Sequence, residues 1–321
     1  MMVYSFLLPF IFLVNQNPQI EQKSFYAITA VDMQTIIAVG ESGIIVRTTD
    51  GGKKWTHTVY PNKQSTDLLG VTFSNKKTGW AVGKDGTILK TTNGGLSWNN
   101  LDSSSTYHLN GIKFIDTSTG WIVGSRGLIL KTIDGGKKWF RQTSNVFNDL
   151  WSLAFVNAKT GWIVGASGTI IKTTNGGEDW ISLKSRYKNL FLSTHFIDSS
   201  CGWITGGYGV ISKTTDGGSS WQDQNAYEEY LLFKTNNFHY GIHFVNQQTG
   251  WVVGSGGVIM KTTDGGKTWV NQKSNVEKVL RAIYAVNNKI VWVVGNDGVI
   301  LKTTDGGKNW VNQLPQKSKK K

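Results

Sequence analysis

The chain is written in short apolar runs of four to six residues cut by turns, and no apolar face recurs at the 3.6-residue spacing of a helix. Residues 68–102 show the pattern. Leu68–Phe73 is an apolar run closed by the turn Ser74–Thr78, and Gly79–Gly83 is a second strand. Lys84-Asp85 sits in a tight glycine-flanked hairpin before a third strand, Thr87–Thr92. Asn93-Gly94-Gly95 then turns the chain into a fourth, Ser97–Leu101. Four short strands separated by Gly, Asn and Asp turns predict an antiparallel sheet with very little helix.

The unit recurs. The phrase Thr-x-Asp/Asn-Gly-Gly-x-x-Trp occurs seven times, starting at Thr48, Thr91, Thr132, Thr173, Thr214, Thr262 and Thr303, with steps of 43, 41, 41, 41, 48 and 41 residues. A fixed period implies one supersecondary unit that buries its faces against its neighbours. Four-stranded sheets repeated around an axis form a propeller. The expected fold is therefore all-β: a seven-bladed β-propeller of four-stranded antiparallel blades over residues 25–314, each blade one contiguous segment. Residues 1–24 form an apolar leader and 315–321 a basic tail. Ile20–Ser24 could add a further strand.

Composition sharpens this picture. Of 14 tryptophans, seven close the repeated phrase and six stand in a Gly-Trp step or its equivalent, leaving only Trp151 outside the architecture. The Asp or Asn of the phrase can accept backbone N–H groups of its own turn. Two of the seven copies use Asn, which suits a turn cap better than a metal ligand, so no metal or cofactor is expected. The formal charge is +13, mostly Lys, and the chain ends in Lys319-Lys320-Lys321. Such a surplus favours acidic partners. No Arg cluster interleaves with aromatics along one element, so nucleic acid is not expected as a partner. Cys201 is the single cysteine and falls in a turn slot that other copies fill with Thr. The apolar run from Met1 to Val14 is too short to span a bilayer but suits the core of an export signal, with an uncleaved anchor or a mis-assigned start codon as alternatives. The expected location is outside the cytoplasm: periplasmic, lumenal or extracellular.

Two rows of positions are not specified by the scaffold. The hairpins between second and third strands read Glu41-Ser42, Lys84-Asp85, Ser125-Arg126, Ala166-Ser167, Gly207-Tyr208, Ser255-Gly256 and Asn296-Asp297. The variable position early in each innermost strand reads Tyr26, Leu69, Asn110, Trp151, Leu192, Tyr240 and Arg281, and is always followed by Gly, Ser or Ala. Loops on rigid scaffolds concentrate function, and aromatic and Arg side chains are enriched at interface hot spots. Trp151, Arg126, Arg281, Tyr26, Tyr208 and Tyr240 are thus the expected partner-binding residues, with plugging of the channel mouth as the bland alternative. The insertion after Trp221 carries Tyr227–Phe233 and could form a contact arm on the same rim.

The repeated phrase matches the Asp-box, or bacterial neuraminidase repeat. With Gly-Trp-x-Val-Gly-x-x-Gly-x-Ile-x-Lys-Thr-Thr, read at Gly79–Thr92, Gly120–Thr132, Gly161–Thr174, Gly250–Thr263 and Val291–Thr304, the chain resembles the photosystem II stability/assembly factor family over residues 25–314. The resemblance implies a non-enzymatic lumenal or periplasmic propeller that binds newly made reaction-centre protein. The chain departs from the family in being Lys-rich, with five arginines: Arg47, Arg126, Arg141, Arg186 and Arg281. Asp-box propellers also occur in sialidases, which resemble one another in an Arg-Ile-Pro segment and an arginine triad. This chain has no Arg-Ile-Pro. A glycosidase needs two carboxyl groups flanking the scissile bond; Glu41, Asp85, Asp149, Asp297, Glu228 and Glu229 supply rim carboxylates that sequence cannot pair. The expectation is a monomeric, non-catalytic scaffold for a protein partner, possessing no catalytic residues. The alternative is a secreted carbohydrate-binding or glycoside-cleaving propeller with a glycan partner. His239 and His243, four apart on a strand, are read as polar strand residues, and His195 and His243 as equivalent positions with satisfied side chains.

Overall fold

The computed structural model describes residues 12–13, 22–59, 66–224 and 237–314. They form seven antiparallel sheets, each built on four consecutive strands that neighbour one another in chain order. The innermost strands are Phe25–Ala30, Leu68–Phe73, Leu109–Phe114, Leu150–Phe155, Phe191–Phe196, His239–Phe244 and Leu280–Ala285. Each packs against the two that flank it, and the last packs against the first, so the ring closes. This is the seven-bladed β-propeller expected. Among the described residues the only helical segments are single 3-10 turns in the hairpins between second and third strands. The outermost strands are short, two residues at Ile181–Ser182 and three at Asn99–Leu101, because polar residues at the ring's outer edge offer little to bury.

Blade 1 carries a fifth strand: Phe12–Leu13 pairs antiparallel with Thr56 and His57 at its outer edge. The extra strand thus comes from the leader, upstream of Ile20–Ser24. The insertion Tyr227–Phe233 and the tail 315–321 lie outside the described residues.

The seams between blades explain the tryptophans. The Gly-Trp indole lies flat on a Phe of the next blade's innermost strand, as in Trp80 on Phe114, with centroids 3.5 Å apart and planes at 3°. The same stacking joins Trp121 to Phe155, Trp162 to Phe196 and Trp203 to Phe244. That Phe meets its own blade's Asp-box Trp edge-on, at 5.9 Å for Phe114 and Trp139. Aromatic quadrupoles favour both geometries. Each seam is also hydrogen-bonded: Trp162 Nε1 and Lys172 Nζ both donate to the carbonyl of Gly217, each at 2.9 Å. Blade 1 has Ile37 where the others have Trp, and there Arg47 Nε donates to Gly94 O at 2.7 Å. Closure repeats the device. Lys302 Nζ donates to Gly51 O, Gly298 N to Lys23 O, and Trp55 meets Trp292 edge-on at 5.8 Å.

The Asp-box is a turn cap. Thr173 Oγ1 donates to Asn175 Oδ1 and accepts Gly177 N–H, while Asn175 Oδ1 also accepts Asp179 N–H. The other six copies use the same triangle, with Asp or Asn alike.

Candidate functional site

The site begins with a register defect. In every innermost strand the pairing slips between its first and third residues, as at Leu150/Ser152 and Leu280/Ala282. The skipped residue is the variable one, from Tyr26 around to Arg281. The residue before it is fully buried in most blades, including Leu68, Leu109, Leu150 and Leu280. A bulge re-aims a side chain and releases it from the ladder's alternation. Here it turns seven variable residues toward the axis. The next residue must be small because neighbouring strands converge: a Cβ on Gly111 would lie 2.9 Å from Leu153 Cδ2 and 3.1 Å from Trp151 O.

These seven bulged residues meet at the channel mouth, in a cavity of about 460 Å³ that Asp67, Lys84, Leu190 and Phe238 also line. Four of the six expected binding residues, Tyr26, Trp151, Tyr240 and Arg281, are therefore together. Arg126 and Tyr208 are not among the lining residues. They sit outside the mouth on hairpins, each at the left-handed position, with φ of 56° and 57°. Tyr208 is exposed, and the Arg126 guanidinium stands 5.5 Å from the ring of Tyr107.

Arg281 is placed by aromatics from both adjoining blades. Its guanidinium carbon lies 4.6 Å from the Tyr240 ring and 5.9 Å from the Tyr26 ring, and Nε donates to Asn296 Oδ1 at 2.9 Å. Cation–π contact of this kind holds a flexible side chain in one orientation. Phe238 stacks on Tyr240 at 5.7 Å. Opposite charge gathers at blade 2: Lys84 Nζ lies 2.7 Å from Asp67 Oδ2, while Asp67 Oδ1 accepts Ser42 N–H. Burial works against the Asp67 carboxylate, yet those hydrogen bonds hold its pKa below the usual range. The Tyr26 hydroxyl is pushed up by burial first and then by the charges of Asp67 and Glu41. The mouth therefore has a charged arc, Asp67, Lys84 and Arg281, facing an apolar arc, Trp151, Leu190, Leu192 and Phe238.

Asp67, Leu190 and Phe238 escaped sequence reasoning because they lie just ahead of the innermost strands, where the inter-blade loops differ from copy to copy. Phe147, in the loop before Trp151, is 92% exposed and was also missed. Its signal was an aromatic in an otherwise polar loop.

Of the rim carboxylates, Asp149 Oδ1 accepts Arg126 N–H, Glu41 pairs with Lys23 at 3.6 Å, Asp85 with His108 at 3.7 Å and Asp297 with Lys278 at 2.6 Å. Glu228 and Glu229 lie outside the described residues. Among the described residues Asp67 is the one carboxylate lining the mouth, and no group of three or more His, Cys, Asp or Glu could hold a metal ion. The histidine reading needs a correction: His239 and His243 are not fully satisfied, since the Nδ1 of each is buried without a partner.

The family described as photosynthesis system II assembly factor YCF48 matches residues 15–92, 62–144, 91–188, 141–229 and 223–319. No curated protein matches the chain. A solved structure of YCF48 bound to D1 peptide is 20% identical, with a TM-score of 0.73 over 88% of this chain and 92% of that one. YCF48 from Cyanidioschyzon merolae is 20% identical, with a TM-score of 0.70 over 88% and 96%. The GH74 enzyme of Niastella koreensis is 16% identical, with a TM-score of 0.71 over 91% of this chain and 54% of that longer one. At these identities the structures share the fold alone.

Proposed function

The chain belongs to the photosynthesis system II assembly factor YCF48 family, and from that premise we propose that it is a non-catalytic, exported scaffold that takes an extended segment of a membrane-protein assembly intermediate into its channel mouth. The observation that carries this reading is the convergence of the seven bulged residues on one cavity, with Trp151, Tyr26, Tyr240 and Arg281 among them. Rigid aromatics and a prepositioned guanidinium are anchors of the kind that dominate protein interfaces. Arg281 and Lys84 suit a partner segment carrying carboxylates, and the apolar arc suits its hydrophobic side chains. Arg126, Tyr208 and Phe147 extend the surface outward. A relative in the solved structures holds a D1 peptide, which supports a polypeptide as the ligand class. The absence of a second carboxylate from the described lining supports a binding rather than a hydrolytic role. Export is supported by the apolar leader, and among the described residues no helix is long and apolar enough to cross a membrane.

Fluorescence anisotropy with a labelled D1 peptide tests the reading. Trp151→Ala and Arg281→Ala should each weaken binding by about thirtyfold, the measure of a hot spot worth roughly 2 kcal/mol, while the melting temperature holds. Unaltered affinity in both variants would refute the mouth as the site. Saturable binding of an oligosaccharide at the mouth, with no peptide binding, would favour the glycan alternative.

A further inference from the structure

Three residues beyond each bulged position, the innermost strands carry a second row around the axis. At about 3.3 Å per residue it lies about 10 Å deeper than the mouth. Thr29, Thr72 and Ala154 occupy three of its places, and Lys113, His195, His243 and Tyr284 the other four. The large side chains crowd together: His195 and His243 have ring centroids 4.5 Å apart, and His243 and Tyr284 4.8 Å.

Each neutral imidazole here offers one N–H and one lone pair, Tyr284 a hydroxyl that can donate or accept, and Lys113 donors alone. His195 bonds to the backbone of Phe244. His243 Nδ1 is shut off from solvent and has no hydrogen-bond partner. Lys113 is accessible to solvent, yet protein encloses it enough for burial to lower its pKa, and nothing charged offsets that cost. The charges acting on the two imidazoles are cationic. Burial first, and then Lys113, lower His195 to about 4. His243 is driven well down by burial, then by His195 and Lys113. Tyr284 is raised by burial. No carboxylate acts on any of the four, and Asp67 at the mouth is already committed to Lys84. Buried polar groups are normally satisfied, and an uncompensated charge in such surroundings is costly.

We propose that Lys113, His195, His243 and Tyr284 form an axial anion site, which takes one compact oxyanion, a phosphate or a carboxylate group, inside the propeller channel. The anion supplies the missing counter-charge and accepts from the imidazole N–H groups as they protonate. By linkage it also raises the proton affinity of the imidazoles, so binding takes up protons and tightens as pH falls toward their titration range. The site stands apart from the reading of the mouth: it needs no peptide, and Trp151→Ala leaves it intact.

Histidine NMR on the full chain tests it. The signals lost in His195→Gln and His243→Gln identify the two imidazoles, which are then followed during addition of inorganic phosphate, sodium formate, or sodium chloride at matched ionic strength. The expected result is that phosphate or formate moves both signals along one saturating curve, with no such curve for chloride. Saturation by phosphate alone marks a phosphate site; saturation by formate alone marks a carboxylate site. Lys113→Met should weaken binding by roughly tenfold or more, the worth of one hydrogen bond to a charged group. Because it removes a desolvated charge, it should keep or raise the melting temperature; Lys113→Gln serves as the second variant should Met fail to fold. Signals that follow the chloride control, or the same saturation curve in both Lys113 variants, would overturn the site.

Discussion

Every residue of the binding row owes its freedom to the one before it. Leu150 is held in the core, the ladder slips, and Trp151 is left to face the axis. The tryptophans of the seams have no such freedom. Trp162 is fully buried, stacked on Phe196 at 3.7 Å and hydrogen-bonded to Gly217. Trp162→Ala should cost about 4 kcal/mol in denaturant unfolding, within the range for large core truncations. Trp162→Phe should cost about 1 kcal/mol, since it keeps the stack and Lys172 still serves the Gly217 carbonyl. Equal losses in the two variants would mean that the stack is not what the indole contributes. At this scale the bulged row was legible because aligned copies expose any position that varies inside a constant frame. Asp67 and Phe238 were not, since no frame surrounds them in sequence.

The Asp-box shows what one element contributes by itself. Asp216 and Asp264 are each lowered to about 2, foremost by the side-chain hydrogen bonds from Ser220 and Thr268. Their folded pKa lies below the unfolded value of about 3.9, so the native state binds fewer protons. The stabilisation is therefore complete above the unfolded value and drains away as pH falls from about 4 to about 2. Asp216→Asn and Asp264→Asn keep an Oδ1 acceptor, as Asn93 does for Ser97 N–H. The double variant should lose less of its melting temperature across that window than the parent, measured by circular dichroism at each pH. An identical slope would show that these carboxylates do not carry the acid sensitivity. The sequence reading placed the phrase in its hairpin and assigned its Asp to the turn. The Trp ring lies against the second glycine of its own turn and edge-on to the Phe of its own innermost strand, as Trp139 does to Gly136 and Phe114.

The whole molecule is held shut by the same contacts that join any two blades, with Lys302, Gly298 and Trp292 meeting Gly51, Lys23 and Trp55. A chain ending at residue 276 would lack blade 7 and uncover Trp251 on one side and Phe25 on the other, both fully buried in the intact ring. It should lose the single cooperative transition in differential scanning calorimetry and expose apolar surface to a dye. One sharp transition at the parent temperature would instead mean that six blades close without it. Seven phrases at a near-constant step determined the number of blades, their strand order and their turn chemistry, because hairpins are built from residues close along the chain. Which side chains share the mouth, which face the axis 10 Å below it and which go unpaired was decided by closure alone. Residues about 41 positions apart become neighbours only when the ring forms, and no local preference encodes that distance.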